Sequence, residues 1–435
     1  MGCRLNHAEE ARIAGALAGA GWRVEACSSP PPGAAAFLLH SCAVTAEAEK
    51  ESLRRVRSAS RAGVPVVAVC GCAASVVPEE KWREAGATLV LSRRAPPPPP
   101  PPPGASPERA FAWAADAGQR GSSDAPALFA SVRAPVKIQD GCSFRCSYCI
   151  VPDARGAPRS MPLRDVMREV RALARRGFRE IVLTGVNAAC WRDGSLRLPD
   201  LVSAVAALPE TARVRLGSVE PGTCEREIAA LAAESGGKVC PFFHLPLQSG
   251  SDSVLRAMRR RCGRDAYRAA VGAVLSAVPR AGIGTDVMTG FPGETEEDFA
   301  LTESLVRELP FSNLHVFPYS ERPGTPAAAM PGAVPVRVRR DRARILAEAG
   351  REKRAAFARS FAGLDVDVLV ERVDAGGVAS GWTGEYLRAE IPGAEESDAG
   401  SLVRVRVEAV EGDVLRAAPL RATPGPLRER RSSPP

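Results

Sequence analysis

The chain has 435 residues, 45% hydrophobic and 25% charged, with a net charge of +8. No run of about 18 apolar residues occurs, which excludes a membrane-spanning helix, and the N-terminus lacks an apolar signal region. Its twelve cysteines therefore point to a reducing, cytoplasmic setting and to metal binding rather than a disulfide scaffold. The positive balance fits a polyanionic partner, and the length predicts two or three domains.

Residues 8–20 carry helical Ala, Leu and Ile spacing, 36–39 (AFLL) and 64–70 (VPVVAVC) read as short buried strands, and Thr45 opens a helix through Ser60. Alternating strands and helices predict a small parallel α/β domain of flavodoxin/Rossmann-like kind over 1–92. Its cysteines fall in loops after strands: Cys3, Cys42 in HSCAVT and Cys72 in VCGCAA. Taken alone these are unrelated buried thiols; beside a second cysteine motif they read as a shared site. Residues 93–130, with eight consecutive prolines at 96–103, predict a stiff spacer.

The stretch KIQDGCSFRCSYCIVPDARGAPRS holds Cys142, Cys146 and Cys149 in a C-x3-C-x2-C spacing. Soft sulfur ligands select zinc, copper(I) or iron–sulfur clusters. A structural zinc site needs a fourth Cys or His, and none lies close in sequence. Three thiolates with one open corner suit a [4Fe–4S] cluster; a zinc knuckle is the alternative.

From Val132 strand, loop and helix repeat. Candidate strands begin at 136, 181, 214, 242, 284 and 314; helical runs cover 163–176, 199–208, 225–234, 252–260, 265–278 and 295–309. Six βα units over 131–360 predict a partial (β/α)6 barrel, with function at the strands' C-terminal ends. Polar residues cluster there: Thr184, Gly185, Ser218, Glu220, Gln248, Ser249, Asp286 and Tyr319. Residues 335–360 form a basic helix-like stretch that reads as a solvated face or a phosphate-tracking surface. Residues 361–422 alternate as an all-β module, and 423–435 read as a disordered tail. Trp382 and Tyr386 stack on bases or pack the module. The module is acidic, with six Arg against twelve Asp plus Glu over 363–421, which suits a basic protein partner better than RNA.

The cysteine spacing, with Tyr148 before its last Cys, resembles the radical S-adenosylmethionine (SAM) enzymes. GCRLN, HSCAVT and CGCA are similar to the three cysteine motifs of the methylthiotransferase family, as are HLPLQSGSDSVLRAM, TDVMTGFPGETEEDF and FPYSERPGTPA along the barrel. GWTGEYLRAEI resembles the TRAM domain, a small OB-like barrel. The resemblance implies two [4Fe–4S] clusters, one on Cys142, Cys146 and Cys149 and an auxiliary one on Cys3, Cys42 and Cys72. It also implies SAM bound by Tyr148, Thr184, Gly185, Ser218, Glu220, Gln248, Ser249 and Asp286. Arg155 and Arg159 are expected to pair with the SAM carboxylate or substrate phosphate, and Trp382 and Tyr386 to meet substrate. KIQDGC, CIVPDARG and CAVT look most like the branch that acts on N6-threonylcarbamoyladenosine in the tRNA anticodon loop. Related branches act on isopentenyladenosine in tRNA or on a ribosomal-protein aspartate; a non-catalytic iron–sulfur RNA-binding protein is the other class. A monomer served by a low-potential flavodoxin or ferredoxin donor is implied. The family's first strand precedes its first Cys, whereas here the chain starts two residues before Cys3, so either the start is misassigned, which is the expectation, or the domain lacks its first strand.

Overall fold

The computed structural model describes residues 4–92, 105–120 and 132–420. The chain divides into two compact units, Met1–Arg354 and Ala355–Pro435.

The first unit opens with the helix Arg4–Gly19 and a parallel sheet, β1 (Ala36–Ser41), β2 (Val66–Gly71) and β3 (Leu89–Val90), in that order. Thr45 caps the helix Ala46–Arg61 as its sequence predicts, its side chain accepting from Ala48 N at 3.1 Å. That cap satisfies one of the orphan N–H groups of the first turn. Val56, Ala59, Val67, Val69 and Trp82 form the core on one face of the sheet. The other face is covered by Ile13 and Leu17 and by a helix, Pro107–Arg120, whose Ala110, Phe111 and Ala114 are buried. The expected spacer over 93–130 thus gives way to a packed helix over part of its length. The proline run and Cys3 lie outside the described residues.

The barrel strands are β4 (Arg133–Lys137), β5 (Glu180–Thr184), β6 (Arg213–Leu216), β7 (Phe242–His244), β8 (Gly282–Thr289) and β9 (Asn313–Pro318). β6–β5–β4 and β7–β8–β9 are parallel sheets. The bridges Val214↔Val239 and Ser218↔His244 join β6 to the β7 side, which makes one six-stranded parallel sheet, the predicted partial barrel. Every predicted strand and helix is present within a few residues; the run 225–234 matches helix Glu225–Glu234 at both ends. Gly177 takes φ +95° just past the helix Leu163–Arg175, the left-handed stop that glycine supplies.

Strand alternation sorts the side chains. Ile181, Leu183, Val214, Leu216, Phe243, Ile283 and Val287 pack outward under the helices. Glu180, Arg213, Arg215, His244, Asp286 and His315 point into the lumen. At its N-terminal end Glu180, fully buried, takes Arg213 Nε at 2.5 Å and Arg215 Nε at 2.8 Å. This ion triplet floors the lumen.

The helix Val336–Arg359 forms where the basic stretch predicts one. Arg339 and Arg342 do not join a phosphate-tracking face. Both are buried, Arg339 on Glu321, Val334 O and Tyr319 O, Arg342 on Glu294 and Glu296. Arg337, Arg340, Arg344, Arg351 and Arg359 are exposed.

The second unit is a closed barrel of five strands, β10 (Asp365–Val373), β11 (Val378–Thr383), β12 (Arg388–Pro392), β13 (Leu402–Glu411) and β14 (Val414–Pro419). Closure removes the edges that a small sheet would otherwise expose. Val368, Val370, Ala389, Ile391, Val405 and Leu415 fill it.

Candidate functional site

The three-cysteine loop is built by backbone. Gln139–Asp140 pairs antiparallel with Arg159–Ser160 and closes the loop between them. Gly141 sits at φ +69° with Ala157 O only 2.1 Å from where a Cβ would stand. Cys142 N donates to Gly156 O at 3.1 Å and Cys149 N to Cys146 O at 3.1 Å. Ser147, between the last two cysteines, anchors the loop to the barrel. Its Oγ donates to Ala257 O at 2.8 Å, its N donates to Met258 O at 3.0 Å, and its O accepts from Ala327 N at 2.8 Å. Tyr148 packs on the apolar cluster of Met258, Met288, Phe291 and Tyr319, so its ring wedges the loop and its phenol is held well above the ordinary range by burial. Burial likewise raises the Cys142 thiol and pushes Cys149 up to about 12. Gly141→Ala should cost about 1–3 kcal/mol in strain and move the loop; iron content of the reconstituted variant, expected to fall well below wild type, checks it.

The strand ends face this loop. Thr184 is buried and its carbonyl accepts from Ile138 N at 2.9 Å. A Cβ on Gly185 would stand 3.0 Å from Gln139 Cβ, so a side chain there would press on the neighbouring strand end. Gln139 donates through Nε2 to Asp140 O (2.9 Å) and Gly141 O (2.7 Å) and accepts from Asn187 N at 2.9 Å, tying the two loops together. Ser218, half-buried, bridges to His244. Glu220 pairs with Arg260 at 2.6 Å; burial raises its carboxyl more than Arg260 lowers it. Arg260 Nη1 also lies 3.9 Å from Cys146 Sγ, and Arg261 stacks over the Phe144 ring at 3.9 Å.

Asp286 lies between two imidazoles, 3.0 Å from His244 Nε2 and 3.3 Å from His315 Nδ1. These bonds hold its carboxyl well below the usual range despite burial. Gln248 takes φ +72° and exchanges backbone bonds with Asp286 O and Met288 N at 2.8 and 2.9 Å. Ser249 departs from its expected cofactor role: fully buried, its Oγ lies 3.2 Å from Thr302 Oγ1 and accepts from Ser251 N, on the helix side of the strand. The turn packs so tightly there that a Cβ on Gly250 would fall 2.6 Å from Thr302 Cα.

At the N-terminal sheet, Ser41 and Gly71 pair in register, so Cys42 and Cys72 follow side by side at the strands' C-terminal edge. Gly71, at φ +92°, leaves no space for a Cβ, which would stand 2.5 Å from Ser41 O. Cys42 and Cys72 are both buried, whereas Cys70 faces the opposite core with Ile13 and Ala68.

Arg155 is not the SAM- or phosphate-facing residue its position suggested. It is buried, with Nε 3.0 Å from Cys72 Sγ, Nη1 on Glu9 Oε1 (3.0 Å) and Asp140 Oδ1 (2.9 Å), and Nη2 on Asn6 Oδ1 (3.0 Å) and Glu9 Oε2 (3.2 Å). The reason is Glu9: a carboxylate on the first helix, buried beside Asp140, requires compensating cations, and Lys137 and Arg155 supply them. Arg159 remains exposed, 3.7 Å from Asp140.

Residues the sequence did not single out complete the site: Gln139, His244, Arg260, Arg261, His315 and Cys190. Arg260 hides inside the run Arg259-Arg260-Arg261-Cys262, which reads as a basic helix end. A cavity of about 450 Å³ beside the loop is lined by Ser143, Phe144, Asn187, Cys190, Arg192 and Arg261, among others. In the second unit Trp382 and Tyr386 are half-buried and stack on each other, centroids 4.8 Å apart, with Trp382 Nε1 donating to Glu371 at 2.9 Å.

Comparison with known proteins agrees with this arrangement. The radical SAM superfamily matches residues 136–306, and the uncharacterized protein family UPF0004 matches 1–92. A Thermotoga maritima protein named threonylcarbamoyladenosine tRNA methylthiotransferase MtaB is 32% identical over 95% of this chain and 94% of its own. A Symbiobacterium thermophilum protein named tRNA-2-methylthio-N(6)-dimethylallyladenosine synthase is 34% identical over 94% and 90%. Among solved structures, the radical SAM methyltransferase TsrM of Kitasatospora setae, with cobalamin and a [4Fe–4S] cluster bound, shares the fold at TM-score 0.53 and 15% identity, over 73% of each chain.

Proposed function

We propose that this chain, which belongs to the radical SAM methylthiotransferase family, adds a methylthio group to C2 of N6-threonylcarbamoyladenosine beside the anticodon of tRNA. One observation carries the reading: two sulfur sites share a body, Cys142, Cys146 and Cys149 at the barrel mouth and Cys42 and Cys72 at the sheet edge, bridged by Arg155. The donor chemistry fits iron–sulfur groups. Thiols held together in one loop, as Cys142, Cys146 and Cys149 are, become thiolates when a metal supplies the compensating charge. Cys142, Cys146 and Cys149 would hold one [4Fe–4S] cluster. Cys42 and Cys72 would hold a second together with Cys3. When bound, these clusters and SAM supply radical chemistry and sulfur for insertion, with the electron drawn from a flavodoxin- or ferredoxin-type donor.

The protein's own groups set the stage. Ser147 and Tyr148 fix the loop to the barrel. Glu220 and Arg260 form a neutral pair, which keeps a lone carboxylate away from Cys146. Asp286 is committed to His244 and His315, which orients both imidazoles into the lumen. The Glu180–Arg213–Arg215 floor closes the far end to water, as a radical reaction requires. The exposed arginines of the helix Val336–Arg359 favour a polyanion, and a loop nucleotide needs only a few kcal/mol to expose its ring edge.

Anaerobic incubation of the reconstituted protein with SAM, dithionite and tRNA tests the reading. The expected result is 5′-deoxyadenosine release and a 2-methylthio product on tRNA carrying threonylcarbamoyladenosine. Product only on dimethylallyladenosine tRNA would shift the assignment to the second substrate, which the Symbiobacterium relative favours. tRNA affinity should fall with salt by about 0.7 log unit per log unit for each phosphate contacted; a salt-insensitive affinity measured by filter binding would contradict the tRNA substrate.

A further inference from the structure

We propose that Arg155 is a positioning residue for the cluster of the N-terminal domain: it donates a charge-assisted hydrogen bond to the Cys72 ligand and couples that ligand to the barrel's cysteine loop. The inference rests on reading Cys42 and Cys72 as cluster ligands.

The geometry is specific. Glu9 and Asp140 carry two negative charges, and Lys137 pairs with both, at 2.6 and 2.8 Å. Arg155 Nη1 spans the same two carboxylates, and Nη2 takes Asn6 and the other oxygen of Glu9. These contacts fix the plane of the guanidinium and leave Nε aimed at Cys72 Sγ, 3.0 Å away. A lysine satisfies two carboxylates equally well, as Lys137 does; what arginine adds is a third, fixed direction for an N–H. Arg155 ends the short helix Val151–Arg155 that begins two residues after Cys149, and the next carbonyl, Gly156 O, accepts from Cys142 N. Adjacent residues therefore hold a sulfur of one site by side chain and the backbone of the other.

Hydrogen bonds to cluster sulfurs set reduction potential, and groups behind the ligands orient them. A guanidinium on Cys72 stabilises the more negative, reduced state. It should raise the potential of the N-terminal cluster and leave the barrel cluster unmoved. A residue that only staples two domains would change neither.

The test uses full-length protein reconstituted anaerobically. Arg155→Lys keeps the charge and loses the aimed Nε–H. Iron analysis and Mössbauer spectroscopy should still find two clusters, and redox titration should find the reduced-to-oxidised ratio of the N-terminal cluster about tenfold lower at a fixed potential, ~59 mV for one electron. Two clusters with unmoved potentials would overturn the proposal. A measurement without substitution covers failure of the variant to fold: in otherwise native protein carrying isotope-labelled arginine, pulsed EPR of the reduced N-terminal cluster should show nitrogen hyperfine coupling, and its absence overturns the proposal as well. Native protein that binds one cluster, with iron content unchanged by Cys72→Ala, would sink the ligand reading and this inference with it. Failure there is distinct from failure of the potential shift.

Discussion

Cys146→Ala is expected to abolish 5′-deoxyadenosine release, a loss of at least ~100-fold, since even groups behind a metal ligand cost about 10–100-fold. Of the three loop cysteines it is the most buried, and the Arg260 guanidinium stands 3.9 Å from its sulfur. The fold should survive, because the loop is held by Ser147, Gly141 and the Gln139–Ser160 pairing rather than by the sulfur itself. Circular dichroism should therefore match wild type while the product vanishes on anaerobic assay with SAM and dithionite. Retained cleavage at a wild-type rate would remove the loop from the mechanism.

The second large effect belongs to stability. Glu180→Ala removes the buried carboxylate that pairs with both Arg213 and Arg215. Breaking a buried pair from one side costs about 3–5 kcal/mol, a large part of a typical domain's stability. Denaturant midpoints of variant and wild type check it, and a shift below 1 kcal/mol would mean that water reaches the lumen floor. The pH dependence has the same origin. The two guanidinium groups outweigh burial and lower the Glu180 carboxyl to about 2. A depressed folded-state value gives stability that is full above the unfolded value, near 4.3, and lost as pH falls from there toward 2. Wild type should lose a few kcal/mol more than Glu180→Ala over that interval.

Much of this architecture was legible in the chain because periodicity reports burial. The helix spacing of 163–176 and 265–278, realised as Leu163–Arg175 and Arg264–Ala277, and the apolar runs at 181 and 214 each follow from one face or one strand packing on one core. The cysteine spacing was legible because three ligands in one loop are a local pattern. Caps were local too: Thr45 accepts from Ala48 N at the start of the helix Ala46–Arg61, where the sequence places a cap.

What the sequence hid was long-range. Arg155 follows the cysteine loop and looks like a residue for an anion, but Glu9, over a hundred positions earlier, claims it in the folded chain. Ser249 stands among lumen residues, yet the tight turn at Gly250 rotates it onto Thr302. Asp286 pairs with imidazoles from two neighbouring strands, which no local pattern reports. The helix Pro107–Arg120 follows a proline run whose composition is that of a spacer, and its short apolar face, Ala110, Phe111 and Ala114, gains meaning only against the sheet it covers.

Whether the cysteine-bearing barrel mouth serves one modified nucleoside in tRNA is read out by mass analysis of tRNA nucleosides from a strain lacking this gene. In that strain 2-methylthio-N6-threonylcarbamoyladenosine should disappear while N6-threonylcarbamoyladenosine accumulates, with the methylthio nucleoside restored by the native gene and not by Cys146→Ala. An unchanged level of the methylthio nucleoside would contradict it.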